Sequence, residues 1–133
     1  MEELNKEKDS FKNQTFIQAL KNTINGIIYT YKTSRNLKVE SIIGICAIIL
    51  GIVLKLSKIE WAVLVITMFF VLMAEMINSA IEETVDLITE EYNEKAKNAK
   101  DIAGGAVTLA SLMSIIIGII LFLDKLIVFV FNK

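Results

Sequence analysis

The sequence of 133 residues contains no proline and no histidine, and it contains a single cysteine. Without histidine, the usual general base near neutral pH and the usual nitrogen ligand of zinc are both missing. The sequence therefore excludes Ser-His-Asp triads and His-ligated zinc. Cys46 cannot form a disulfide within the chain, and in its apolar context a thiol behaves as a small hydrophobic side chain. Any chemistry must use carboxylates, amides and lysines.

The chain also lacks a large excess of charge of either sign, because it has 14 basic and 15 acidic residues. Phosphate backbones require a basic excess, so this balance argues against nucleic acid as a partner. Hydrophobic residues make up 54% of the chain, and the mean hydropathy is +0.56. A soluble domain of this size buries only about two-thirds of its unfolded surface, which is too little to hide so many apolar residues. The composition predicts one integral-membrane domain over residues 1–133.

Three long apolar runs predict an all-α membrane protein, with transmembrane helices at about 39–56, 61–88 and 100–123. Before them, apolar residues recur every three or four positions and predict an amphipathic helix at about 12–36. This helix is expected to lie on the membrane surface, although packing against the transmembrane helices fits the pattern as well. Ten of the 14 basic residues precede the first run or lie between the second and third. The positive-inside bias therefore predicts that the N-terminus and the second loop are cytoplasmic.

A polar stripe interrupts the second apolar run. Taken at roughly 100° per residue, Glu75, Asn78, Glu82 and Asp86 fall within an arc of about 80° on one helix face. An ionisable residue at bilayer depth is costly and indicates a functional site by default. Desolvation disfavours the charged form of Glu75, which suits a general base. Glu82 lies nearer the interface and offers the oxygen ligand that magnesium prefers when it also binds phosphates.

A second block of interest follows the loop between the second and third runs. Lys100 can act as a point charge on a phosphate, and the small residues Gly104 and Gly105 allow another chain segment to approach closely. The sequence has neither a GxxxxGK[ST] loop nor a GxGxxG motif. A nucleotide would therefore have to be held by other residues.

These blocks resemble the small prokaryotic diacylglycerol kinase family, which includes the undecaprenol kinases of Gram-positive bacteria. The resemblance is carried by EMINSAIEETVD at 75–86, EY at 91–92 and AKDIAGGAV at 99–107. It implies an integral-membrane homotrimer with sites between subunits. The implied reaction is transfer of the γ-phosphate of MgATP to the primary hydroxyl of a membrane lipid.

The resemblance also implies a role for each matching residue. Glu75 would be the general base, Asn78 would orient lipid or phosphate, and Glu82 would bind magnesium. The residues that would hold the nucleotide are Glu91, Lys100 and Asp101.

Two positions depart from the family pattern. Ser34 stands where family members usually carry a glutamate that is their other metal ligand, and Asn93 stands where a histidine is common. Counted along a helix from position 34, Glu40 falls on another face and is not expected to replace that ligand. These departures leave open a weakened or inactive member of the family.

Several alternatives remain at this point. The composition, rich in lysine, isoleucine and asparagine, is typical of low-GC Gram-positive bacteria and favours undecaprenol over diacylglycerol as the lipid. A non-enzymatic alternative is a membrane helix assembly in which Glu75, Asn78 and Glu82 only lock helices together through hydrogen bonds. An ion-conducting oligomer lined by the same carboxylates is a further alternative, but it leaves the block at 99–107 unexplained.

Overall fold

The computed structural model describes residues 15–131, and in that part of the chain it contains four α-helices. They are α1 (Phe16–Thr33), α2 (Arg35–Val53), α3 (Lys58–Ile88) and α4 (Glu94–Phe131). The predicted all-helical class is confirmed, and α2, α3 and α4 are each long and apolar enough to cross a bilayer. The described residues divide into two compact units, of which the first ends at Thr33 and the second begins at Ser34.

In the first unit, α1 is amphipathic, and none of its residues is buried. Positions 12–14 of the predicted surface helix lie outside the described residues. The predicted helix also extended to residue 36, whereas α1 ends at Thr33 because Ser34 has extended backbone angles (φ −76°, ψ 121°). The Ser34 hydroxyl accepts a hydrogen bond from the backbone N–H of Leu37 at 3.0 Å. Serine is a favoured N-cap, so a new helix begins at Arg35. The surface position of α1 stays a prediction.

In the second unit, α2 packs against α3 along a seam of three buried residues at seven-residue steps, namely Leu37, Gly44 and Gly51. The two glycines permit the close approach. A Cβ added at Gly44 would lie 2.8 Å from Met68 Cε, and one at Gly51 would lie 3.1 Å from the ring of Trp61. Small residues at such positions let helix backbones come together in lipid.

The tight connection between α2 and α3 is a Schellman motif. Lys55 has a positive φ of 53°. Its N–H donates to the carbonyl of Ile52 at 3.2 Å, and the N–H of Leu56 donates to that of Gly51 at 3.0 Å. These bonds satisfy carbonyls that the end of a helix leaves unpaired.

We call the region around this turn the capped end, defined by the residues Leu54, Leu56, Ser57, Glu60, Leu64, Leu121, Phe122 and Lys125. Its five apolar members form a buried cluster. The other three are polar. Ser57 and Glu60 form a reciprocal capping box at the start of α3, and Glu60 pairs with Lys125 of α4 at 3.2 Å. The helix α4 continues through the aromatic tail as far as Phe131.

One face of α3 is buried through the middle of the helix, at Leu64, Thr67, Val71, Glu75 and Asn78. The helix α4 runs along α3 and buries Ala103 and Ala110. The steps of three and four residues on α3 are those of a single helix face. The predicted polar stripe is therefore the continuation of the face that packs inside the unit.

Candidate functional site

Glu75 lies at the deep end of the polar stripe and is only 2% exposed. Its Oε1 accepts a hydrogen bond from the Ser34 hydroxyl at 2.8 Å. Its Oε2 is also buried and has no hydrogen-bond partner among the described residues. A buried acceptor without a partner costs free energy, so such atoms are rare unless a ligand or function requires them.

A second carboxylate, which the sequence did not predict at this site, lies close by. Glu40 of α2 is half-buried, its Oε2 has no partner in the described part of the chain, and it lies within electrostatic range of Glu75. The expectation that it faces elsewhere was wrong because position 34 precedes the helix, so a helical count from it does not apply. Glu40 lies three residues after Leu37 and four before Gly44. This spacing places Glu40 beside the α2 seam. The spacing is therefore the sequence signal from which the position of Glu40 could have been predicted.

Asn78 is buried one turn beyond Glu75. Its Nδ2 donates to Oε1 of Glu82 at 3.0 Å, and its Oδ1 is a third buried acceptor without a partner in residues 15–131. Glu82 itself is exposed. The stripe therefore passes from a buried carboxylate, through a buried amide, to a carboxylate open to solvent.

Lys100 brings positive charge to the same stripe. Its Nζ forms a hydrogen-bonded ion pair with Oδ1 of Asp86, which joins α4 to α3. Asp86 lies one turn beyond Glu82, so the pair adjoins the exposed end of the stripe. We call this region the polar end, defined by Ser34, Glu40, Glu75, Asn78, Glu82, Asp86 and Lys100.

The structure places the other two predicted nucleotide residues outside this cluster of contacts. Asp101 is exposed on α4 and pairs with Lys97 on the same helix. Glu91 is exposed in the connection between α3 and α4, where its backbone N–H donates to Thr89 Oγ1 at 3.1 Å. Both roles stay predictions.

An apolar groove of about 330 Å³ runs between α3 and α4 beside the polar end. Its walls include Phe70, Met73, Ile77 and Ile102, and Asn78 contributes the single polar side chain among the lining residues. A groove with apolar walls and one amide suits a ligand that is mostly hydrocarbon and carries one polar group.

The residues fit a magnesium ion that arrives with a nucleotide. Within the described residues, no group of three or more acidic or cysteine side chains is placed to hold a metal ion. Glu82 offers an exposed oxygen ligand, and its Oε1 accepts a hydrogen bond from the Asn78 amide. Magnesium commonly binds through one or two carboxylates together with phosphate oxygens and water.

Comparison with known proteins confirms the family resemblance. Residues 21–122 match the family model described as Prokaryotic diacylglycerol kinase. The chain is 41% identical over 101 residues to the undecaprenol kinase of Bacillus subtilis (strain 168). The aligned region covers 76% of this chain and 82% of that protein. It is 39% identical over 102 residues to the diacylglycerol kinase of Synechocystis sp. (strain ATCC 27184 / PCC 6803 / Kazusa). That alignment covers 76% of this chain and 58% of the relative. It is 32% identical over 77 residues to the diacylglycerol kinase of Escherichia coli (strain K12), and this alignment covers 58% of this chain and 63% of the relative.

Proposed function

Because this chain belongs to the prokaryotic diacylglycerol kinase family and is a multi-pass membrane lipid kinase, we propose that it transfers the γ-phosphate of MgATP to undecaprenol. The acceptor is the primary hydroxyl of the lipid. Identity and coverage support undecaprenol, because the similar undecaprenol kinase is matched over 82% of its length. Diacylglycerol is the second candidate, since other relatives of 32–39% identity carry that name.

The observation that carries the proposal is the buried Glu75 carboxylate with its unpartnered Oε2. A lipid hydroxyl is a hydrogen-bond donor, so it can satisfy this oxygen. As the hydroxyl oxygen attacks the γ-phosphorus, Oε2 of Glu75 accepts its proton and the bond from phosphorus to the bridging oxygen of ADP breaks. General-base assistance of this kind contributes about 10²–10⁴ in rate.

Glu82 would hold the magnesium ion of MgATP, and the Asn78 amide orients the Glu82 carboxylate for that purpose. The ion neutralises charge on the phosphates when it is bound. Lys100 adds its ammonium from α4 while paired with Asp86, and Glu91 and Asp101 would bind the nucleotide from the loop side. Phosphoryl transfer depends mainly on such positioning and charge neutralisation.

The membrane arrangement belongs to the same proposal. With the N-terminus and the second loop in the cytoplasm, MgATP reaches the exposed end of the stripe from the cytoplasm, while the lipid reaches the apolar groove from the bilayer. The helix α1 would lie on the cytoplasmic membrane surface, where its exposed apolar side chains meet lipid. A homotrimer would complete the exposed nucleotide side of each site with residues of a neighbouring subunit.

The direct test offers undecaprenol and diacylglycerol in parallel, in detergent micelles, with γ-labelled MgATP. We expect label in undecaprenol at the higher kcat/KM and about 10³-fold slower labelling with the Glu75→Gln variant. Faster labelling of diacylglycerol would replace undecaprenol with the second candidate. Absence of label in either lipid, even at high magnesium, would refute the enzymatic proposal.

A further inference from the structure

We propose that Ser34 is a positioning residue that holds Glu75 so that Oε2, the oxygen left without a partner, faces the lipid hydroxyl. The inference rests on the proposed role of Glu75 as the base. It assigns a role to a position at which this chain departs from the pattern that it otherwise resembles.

The hydrogen bonds of Ser34 fix the direction in which its hydroxyl donates. The backbone N–H of Leu37 donates to Ser34 Oγ at 3.0 Å, and Ser34 Oγ lies 2.8 Å from Oε1 of Glu75. A serine hydroxyl has one proton to donate. Glu75 in its carboxylate form can only accept, so that proton points to Oε1. The start of α2 thereby determines which oxygen of Glu75, 41 positions further along the chain, is occupied.

The same contact makes the two carboxylate oxygens of Glu75 unequal. Oε1 is engaged by Ser34, whereas Oε2 is buried without a partner among residues 15–131. Hydrogen bonds to an ionised carboxylate are short and strong, so this one restricts the rotation of the carboxylate. A base must be held within hydrogen-bonding distance of the proton that it removes. The bond to Ser34 provides that restriction from the side opposite Oε2.

Ser34 also adds no charge beside Glu75. Glu40 lies within electrostatic range of Glu75, so the buried Glu75 already faces one acidic neighbour. A hydroxyl donates a hydrogen bond to Glu75 without adding charge. A carboxylate at position 34 would instead place a third acidic group against Glu75.

Ser34 also caps α2, so a test must separate capping from positioning. Ser57 provides the matched control, because it caps α3 in the same way and accepts a hydrogen bond from the N–H of Glu60 at 3.4 Å. Ser57 belongs to the capped end, on the far side of the unit from Glu75. Glycine retains most of the capping preference of serine but has no hydroxyl to donate. Threonine retains both capping and the hydroxyl.

The experiment measures kcat, the KM for MgATP, the KM for the lipid that the wild type phosphorylates, and the midpoint of thermal unfolding. The variants are Ser34→Gly, Ser34→Thr and Ser57→Gly, with Glu75→Gln as the reference for the base. Ser34→Asp is added because aspartate caps well but has no proton to donate near neutral pH. If the glycine variant fails to fold, the aspartate variant tests whether the Ser34 hydroxyl is needed.

We expect Ser34→Gly and Ser34→Asp to lower kcat about tenfold, which is the effect of losing about 1.4 kcal/mol of transition-state stabilisation. Both KM values should stay within about twofold of the wild type. Ser34→Thr should retain the wild-type kcat, and Ser57→Gly should change only the unfolding midpoint.

Two results would overturn the inference. One is a wild-type kcat in Ser34→Gly or Ser34→Asp while Glu75→Gln is inactive, which would leave the proposed function standing. The other is a loss of activity that follows the unfolding midpoint equally at positions 34 and 57, which would reduce Ser34 to a helix cap. Full activity in Glu75→Gln would instead remove the proposed role of Glu75 itself.

Discussion

The capped end and the polar end of the same three-helix unit differ in whether buried acceptor atoms are left without hydrogen-bond partners. At the capped end, Glu60 bonds to Ser57 and pairs with Lys125. At the polar end, the acceptors Glu40 Oε2, Glu75 Oε2 and Asn78 Oδ1 are buried without partners among the described residues. Buried polar groups normally find partners. The capped end therefore has its polar groups satisfied within the chain, whereas the unpartnered acceptors of the polar end are the ones that the proposed function assigns to substrate and cation binding.

The amide of Asn78 can be compared directly with another buried polar side chain on the same face of α3. Replacing it by leucine removes the hydrogen bond that orients Glu82 and one of the unpartnered acceptors. We expect Asn78→Leu to lower kcat/KM about 100-fold, the lower end of the range for removing one preorganised polar contact. Steady-state kinetics with labelled MgATP measure this loss.

Thr67 is the matched control for Asn78. It is buried on the same face of α3, but its hydroxyl bonds to the carbonyl of Val63 within the helix. Thr67→Val should keep wild-type kinetics. Equal losses in Thr67→Val and Asn78→Leu would mean that burial on this face, and not the amide, governs activity.

The exposed carboxylate Glu82 should control the magnesium requirement. Glu82→Gln replaces a charged oxygen ligand by a neutral amide, so we expect the magnesium concentration for half-maximal activity to rise about tenfold. Titration of activity against free magnesium at fixed ATP measures the shift. Glu90→Gln, in the exposed connection after α3, should leave the titration unchanged. An unaltered magnesium requirement in Glu82→Gln would remove this residue from the proposed metal site.

Lys100 should contribute to nucleotide binding by a smaller amount. Removing one partly exposed ammonium near the phosphates should raise the KM for MgATP about fivefold, because exposed charge interactions are weakened by solvent. The KM for the lipid should not change. Lys95→Ala is the control at an exposed lysine of the same helix. If Lys100→Ala and Lys95→Ala have equal effects, general electrostatic attraction explains the result.

The smallest effect on catalysis is expected at the α2 seam, where substitutions should act on stability alone. Gly51→Ala places a Cβ 3.1 Å from the rigid ring of Trp61, whereas at Gly44 the nearest atom is the flexible end of Met68. We expect Gly51→Ala to cost about 1–3 kcal/mol and Gly44→Ala less than about 1 kcal/mol. Thermal unfolding in detergent measures both. Activity per folded molecule should stay at the wild-type level, and a larger cost at Gly44 would contradict this account of the seam.

The sequence was most informative where periodicity alone fixes the outcome. The three apolar runs predicted α2, α3 and α4, and the spacing of Glu75, Asn78 and Glu82 predicted their common helix face. The contact from Ser34 to Glu75 could not be predicted, because it depends on where α2 begins and on which helix packs beside it. Glu40 was misplaced for the same reason. The pair between Lys100 and Asp86 depends on the alignment of α3 with α4, which helical periodicity within either segment does not specify.

In the function proposed above, the carboxylate at the polar end performs the chemistry, while the one at the capped end maintains the structure. One measurement tests it: phosphoryl transfer per folded molecule from labelled MgATP to undecaprenol, by Glu75→Gln and Glu60→Gln in the same micelles. We predict that Glu75→Gln loses about 10³-fold in rate, within the range for a general base. Glu60→Gln should keep the wild-type rate. Similar rates in the two variants would contradict the division between the two ends and the role of Glu75.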